Sequence, residues 1–239
     1  MSVIVCVPVR YSSRRLPGKH FLDIGGRSAL NHLLARAGLI PSVEHIILCV
    51  GDDGHADRYI GHPLPIGDRS KYAAPIVGDV PNVLSRYVSA IEMYGAKTMV
   101  RITGDDCFPD IGLAEALIHD HIERDADYTC YSRYIPGMDI EAYSAKSLLK
   151  IYKDSNEGKD IDSEMLKSVY SDSQHKKNEF NPGIKIPDIS LTLDTLKDYA
   201  EIRRKYAIIT SMVPEFFSMA DVAEMHAAGY FLEDLEIPL

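Results

Sequence analysis

No apolar run in this chain approaches ~20 residues, the length a helix needs to cross a bilayer, so no membrane span is expected. Its start lacks a basic segment followed by a long apolar one, so no secretory signal is expected and the cytoplasm is the expected compartment. Cys6, Cys49, Cys107 and Cys130 show no C-x-x-C spacing. Cys6, Cys49 and Cys130 lie in strand-like runs and read as reduced, buried filler. There is no broad basic stripe, and the formal charge is -9, which argues against duplex nucleic acid as a partner. Neither G-x-S-x-G nor H-E-x-x-H occurs, so there is no signal for a serine hydrolase or a zinc protease. The phosphate loops G-x-x-x-x-G-K-[ST] and G-x-G-x-x-G are absent too. Gly25-Gly26 lacks the third glycine and reads as a turn, so any bound phosphate would be met by side chains more than by a glycine cradle. No repeat or low-complexity segment is present.

What remains is an ordinary globular composition, 46% hydrophobic and 26% charged over 239 residues. That length suffices for one substantial α/β domain with an excursion, or two small domains. Strand-like runs at 3–7, 44–50, 72–77, 97–102 and 126–131 alternate with helix-like runs at 29–37, 81–94 and 111–124. Pro81 stands early in its helix, where a missing N–H costs little. Residues 61–72 read as loop. The alternation predicts an α/β fold, a Rossmann-like and mainly parallel sheet with helices on both faces. After residue 132 the pattern changes, to strands at 140–143 and 189–193 and helices at 145–153, 162–170, 196–206 and 219–228. Residues 1–239 are expected to form a single α/β domain, with 132–188 as an excursion on the acceptor side. The apolar tail 214–239 allows a homodimer.

The stretch Arg10-Tyr11-Ser12-Ser13-Arg14-Arg15-Leu16-Pro17-Gly18-Lys19 follows the first strand. Loops leaving the carboxyl ends of central strands are where open α/β sheets bind ligands. Arg10, Arg14, Arg15 and Lys19 repel one another, which suggests a polyanion, most simply a nucleoside triphosphate. A solvated basic face is the plain alternative.

Asp105 follows a strand and a Thr-Gly turn, a good place to hold a divalent cation beside phosphates. It could equally be a turn residue or a helix cap, although Asp110 fits the cap better. Asp194 ends another apolar run and could also be a cap. Asp139 and Glu141, two apart on a strand, would share a face, suited to sugar hydroxyls or to solvent. Asn82 could read a base edge or open a helix. Arg86, His119 and His121 read as surface residues.

The Arg10–Lys19 stretch resembles the R-x-x-S-x-R-L-P-G-K signature of sugar-activating cytidylyltransferases, which include CMP-Kdo synthetase and the spore-coat polysaccharide cytidylyltransferases. The resemblance continues through His20-Phe21-Leu22-Asp23-Ile24-Gly25-Gly26-Arg27. It recurs at Asn82-Val83-Leu84-Ser85-Arg86-Tyr87, Arg101-Ile102-Thr103-Gly104-Asp105, Gly137-Met138-Asp139-Ile140-Glu141-Ala142-Tyr143 and Leu191-Thr192-Leu193-Asp194-Thr195. These blocks cover roughly residues 1–206, and the later ones look closer to the spore-coat branch. Asp106-Cys107 departs from that branch's Cys-Pro, and Asp110 restores its register.

The resemblance implies a fold of the nucleotide-diphospho-sugar transferase type, similar to GT-A. It implies transfer of CMP from CTP to a sugar, sugar acid or related small acceptor, with release of pyrophosphate. Arg10, Arg15 and Lys19 would be catalytic, and Pro8, Val9, Arg10, Ser13, Lys19 and Asn82 would contact the nucleotide. Asp105 and Asp194 would hold Mg²⁺, and Arg133, Asp139 and Glu141 would face the acceptor. A glycosyltransferase using Asp105-Asp106, or a non-catalytic nucleotide-binding protein, are the rival expectations.

Overall fold

The computed structural model describes residues 2–63, 69–157, 166, 170 and 174–231. β1 (Val3–Val9) is buried almost throughout, the signature of a parallel strand covered on both faces. It lies between β4 (Val43–Gly51) and β6 (Thr98–Arg101), parallel to each. Among the described residues the sheet has seven strands. From one edge it runs β5 (Ile76–Gly78), β4, β1, β6, β8 (Glu141–Ser144), β7 (Tyr128–Tyr131) and β9 (Lys177–Phe180). Among the described residues only β8 is antiparallel to its neighbours in this sheet. A separate hairpin, β2 (Asp23–Ile24) with β3 (Arg27–Ser28), turns at Gly25-Gly26 as expected.

The two faces of β1 feed two cores. Val3, Val5 and Val7 pack with α1 (Ala29–Gly38) and α4 (Ile111–Glu123). Ile4 and Cys6 pack with α3 (Val83–Tyr94) and α5 (Ala145–Asp154). Burial of each such apolar side chain contributes about 1.5–3 kcal/mol. A short α2 (Asp57–Ile60) follows β4. A third core joins α6 (Leu196–Met212) and α7 (Met219–Ala227) to Leu16, Phe108, Met138 and Leu193. Asp110 ties this layer to the sheet. Its Oδ1 accepts from the Leu113 N–H at 2.9 Å, capping α4, and its Oδ2 accepts from the Met219 N–H at 2.6 Å.

One expectation needs correction. Residues 189–193 do not form a strand; they carry a single bridge, from Thr192 to Asp106. Here the apolar pattern reflects burial in the third core rather than a place in the ladder. β9 escapes the sequence pattern, because Lys-Asn-Glu-Phe lacks an apolar alternation. Within 132–188, β8 and β9 join the main sheet. The helix expected at 162–170 lies mostly outside the described residues. Among the described residues no helix is long and apolar enough to cross a membrane.

Candidate active site

The loop after β1 folds back on itself. The Tyr11 carbonyl accepts hydrogen bonds from the N–H groups of Ser13 and Gly18, both at 2.9 Å. Gly18 has φ +67°, and a Cβ there would stand 2.9 Å from the Tyr11 ring, so glycine suits this corner. The segment after β4 buttresses the loop. The Ser12 N–H donates to Asp53 Oδ2 at 2.7 Å, the His55 ring stacks on Tyr11 at 4.5 Å, and Arg58 lies 4.7 Å over the same ring. Burial pushes the Asp53 carboxyl up, but hydrogen bonds from Ser12 and His55 outweigh it and hold the group below its ordinary range.

Just past Gly18, Lys19 is only 7% exposed. Its Nζ donates to Asp105 Oδ2 at 2.8 Å and to Asp194 Oδ1 at 3.0 Å. Arg15, largely exposed, reaches the same Asp194 oxygen at 2.8 Å. Three parts of the chain thus meet at the carboxyl edge of the sheet.

Backbone contacts hold the two aspartates together. The Leu193 N–H donates to the Asp105 carbonyl at 3.1 Å, beside the bridge between Asp106 and Thr192. The stretch 135–138 braces this junction. The Leu191 N–H donates to the Pro136 carbonyl at 2.7 Å, and the Phe108 N–H donates to the Gly137 carbonyl at 3.0 Å. Gly137 has φ +94°, and a Cβ there would fall 2.3 Å from the Leu191 carbonyl carbon. Gly104, before Asp105, is equally confined: a Cβ would meet His20 Nε2 at 2.6 Å and the Pro8 carbonyl at 2.9 Å. His20 itself is buried, and its Nδ1 lies 2.7 Å from the Tyr59 hydroxyl. Burial, then the nearby Lys19 charge, lower its pKa to about 3, so the ring is neutral.

The remaining predicted residues divide. Arg10 is exposed beside Gly51, Val9 is buried, and Pro8 and Ser13 are half-buried. Arg133 is exposed on the loop after β7. Asp139 is half-buried and precedes β8, so it does not share a strand with Glu141. Glu141 differs from expectation. It is 4% exposed and forms a salt bridge with Arg101 at 2.9 Å. The Tyr128 and Tyr143 hydroxyls each donate to it at 2.8 Å. Its partners are internal because Arg101 stands directly opposite it in the β6–β8 register. Asn82 caps α3: its Oδ1 accepts from the Ser85 N–H at 3.0 Å, and its Nδ2 donates to the Glu157 carbonyl at 2.9 Å.

Two residues read as surface groups are buried instead. Arg86 donates to the Gly78 and Asp79 carbonyls at 3.2 and 2.7 Å. His121 sits 2.9 Å from Thr129 Oγ1, and burial lowers its pKa to about 4. Asp106 is also buried. Burial, then the carboxylates of Asp139 and Asp105, push its carboxyl well above the ordinary range. Sequence reasoning missed Arg101, His20 and Tyr11 as supports, since their roles come from partners distant in the chain.

Among the described residues no group of three or more His, Cys, Asp or Glu side chains is gathered to hold a metal. The Asp105–Asp194 pair nevertheless already embraces one cation, the Lys19 ammonium. Two hard carboxylate oxygens around a positive charge suit a divalent ion that draws its other ligands from phosphate and water.

A family model described as "Cytidylyltransferase" matches residues 4–236. The spore coat polysaccharide biosynthesis protein SpsF of Bacillus subtilis is 24% identical over 85% of this chain and 86% of its own length. Among solved structures, a cytidylyltransferase from Leptospira borgpetersenii superposes with a TM-score of 0.80 at 21% identity, covering 100% of both chains. A CMP:2-keto-3-deoxy-manno-octonic acid synthetase complexed with CTP superposes with a TM-score of 0.62 at 16% identity, over 89% of this chain and 100% of that one. These likenesses place the chain in the nucleotide-diphospho-sugar transferase fold.

Proposed function

The chain belongs to the cytidylyltransferase family, and from that premise we propose that it transfers CMP from CTP to a small hydroxyl- or phosphate-bearing acceptor, releasing pyrophosphate. The observation that carries this reading is the Lys19 ammonium seated between Asp105 and Asp194, with Arg15 on the same carboxylate. That is a charge-balanced centre at the sheet edge where α/β folds bind nucleotides.

Nucleotidyl transfer needs little covalent help from the protein. Positioning and neutralisation of developing charge do most of the work. Arg10, Arg15 and Lys19 would neutralise the triphosphate, with Lys19 nearest the reacting phosphoryl group because it alone of the three is buried at the centre. Asp105 and Asp194 would hold Mg²⁺. Such an ion would supply neutralisation of the charge that develops on the phosphates. The stacked Tyr11, with Asp53 on the Ser12 N–H, would keep the cationic loop in place. Pro8, Val9 and Ser13 would line the nucleotide. Asn82 would serve the helix cap rather than the base, since both ends of its amide are engaged. Asp139 and Arg133 would face the acceptor, and Glu141 would act behind them through Arg101. The likeness to SpsF supports a setting in surface polysaccharide synthesis.

The test mixes the protein with Mg²⁺, each of the four nucleoside triphosphates, and a panel of sugars, sugar acids and phosphonates. Pyrophosphate release with CTP and one acceptor class is expected. Release of a free nucleotide from a ready-made nucleotide-sugar, with no pyrophosphate from CTP, would favour glycosyl transfer instead.

A further inference from the structure

Arg86, on α3, is 5% exposed, yet among the described residues no salt bridge reaches it. Its Nη1 donates to two backbone carbonyls, of Gly78 at 3.2 Å and of Asp79 at 2.7 Å, and its enclosed Nε has no partner. The exposed Asp79 carboxylate attracts it without forming an ion pair. Two other guanidiniums deep in the fold are better matched. Arg101 pairs with Glu141 at 2.9 Å, and Arg36 donates to three carbonyls and lies 4.3 Å over the Phe217 ring. Arginine stays protonated, so Arg86 carries a positive charge that no bonded carboxylate balances. Enclosing a charge without a counter-ion is costly to the fold.

Its place gives that charge a use. β1, β4 and β5 run parallel, so Val9, Gly51 and Gly78 end them at one rim of the sheet. Gly51 and Gly78 are partners in the β4–β5 register, and both make room for Arg86. A Cβ at Gly51 would stand 3.3 Å from Arg86 Nη1, and one at Gly78 would stand 3.1 Å from its Cγ. The same Cβ at Gly51 would lie 3.5 Å from Arg10 Cβ, so Arg10 and Arg86 flank one glycine. Arg10 is exposed at the start of the cationic loop, and among the described residues it has no salt bridge either. Repulsion between the two cations favours an Arg10 side chain turned away from Arg86. A charge sealed in a low-dielectric wall is also screened less than one bathed in water.

With Arg10 read as meeting the triphosphate under the proposed function, we propose that Arg86 is a positioning residue for nucleotide binding. Its charge, held under the rim between two glycines, turns Arg10 outward and strengthens the hold on a polyphosphate without touching the ligand. Arg86 then discriminates by ligand charge, favouring a triphosphate over the monophosphate and the bare nucleoside.

Titration calorimetry on the full chain, without divalent ions, can compare CTP, CMP, cytidine and inorganic tripolyphosphate. Arg86→Gln is expected to weaken CTP and tripolyphosphate about tenfold and CMP about threefold, and to leave cytidine unchanged, a loss graded by ligand charge. Arg86→Lys keeps the charge and should stay within about threefold of the wild type for every ligand. Arg86→Met, neutral and apolar, serves if Arg86→Gln does not fold. Unchanged CTP binding by the neutral variant overturns the proposal. So does an equal loss for CTP and CMP, or an Arg86→Lys as weak as Arg86→Gln, since either marks a merely structural part. Wild-type preference for CTP among the four nucleoside triphosphates reports separately on the cytidylyltransfer reading. Graded losses without that preference sink only that reading, and the preference without graded losses sinks only the assignment of Arg86.

Discussion

The Lys19 ammonium meets two carboxylates from segments far apart in the sequence. Lys19→Ala is therefore expected to lower turnover about 100-fold or more, the scale of losing one aimed transition-state contact. Pyrophosphate release by a protein whose circular dichroism is unchanged checks it, and near-normal turnover would remove Lys19 from the chemistry. Glu141 invites the opposite kind of substitution. Its carboxylate balances the buried Arg101 and accepts from two tyrosines, so Glu141→Gln leaves a buried guanidinium without its counter-ion. A loss of about 3 kcal/mol in unfolding free energy is expected. Urea denaturation reads it directly, and a loss under about 1 kcal/mol would mean that Arg101 finds another partner or water.

Secondary-structure elements are legible where periodicity and turn chemistry agree. The Val and Ile runs mark β1, β4 and β6, and Asp110, Asn82 and Ser28 stand where caps belong. The junction of 135–138 with 189–193 is not legible, because it uses backbone bridges between segments with no shared pattern. That junction depends on Gly137. Gly137→Ala drives a methyl into the Leu191 backbone at an unfavourable φ, and a loss of about 3 kcal/mol or more is expected. Gly183 offers the control: it has φ +70°, and a Cβ there would meet nothing within 4 Å, so Gly183→Ala should cost only about 1 kcal/mol, from backbone strain. Comparable losses at the two positions, measured by thermal unfolding, would show that the contact with Leu191 yields readily.

Three buried histidines contribute to the pH response of the fold. Burial, the leading cause in each, lowers His20 to about 3 and His32 and His121 to about 4. An unfolded histidine titrates near roughly 6.5. Between roughly pH 6.5 and 4 the unfolded chain therefore takes up protons that the folded chain refuses, and stability falls as the pH drops. Asp106 works the other way, since its raised pKa favours the folded state as acid is added, but it stands against these three and His62, which burial also lowers. The urea midpoint should decline steadily from about pH 7 to about 4.5. A flat midpoint across that window would mean that the histidines are solvated or paired on protonation.

Period, turn chemistry and local charge are properties of neighbours in the chain. The amino-acid sequence therefore sufficed for the α/β alternation and the cationic loop after β1, while Asp105 and Asp194 stood out as candidate carboxylates through their resemblance to the family's blocks. Whether a polar side chain ends in solvent, in a cap or in an ion pair depends on what packs against it. Lys19 meets an aspartate 175 residues away, and Arg101 meets Glu141 across a strand pair 40 residues apart. Those meetings, and the burial of Arg86, His121 and Glu141, are decided by the folded sheet and its bridges. Desolvation and partner geometry act only once distant segments share one space.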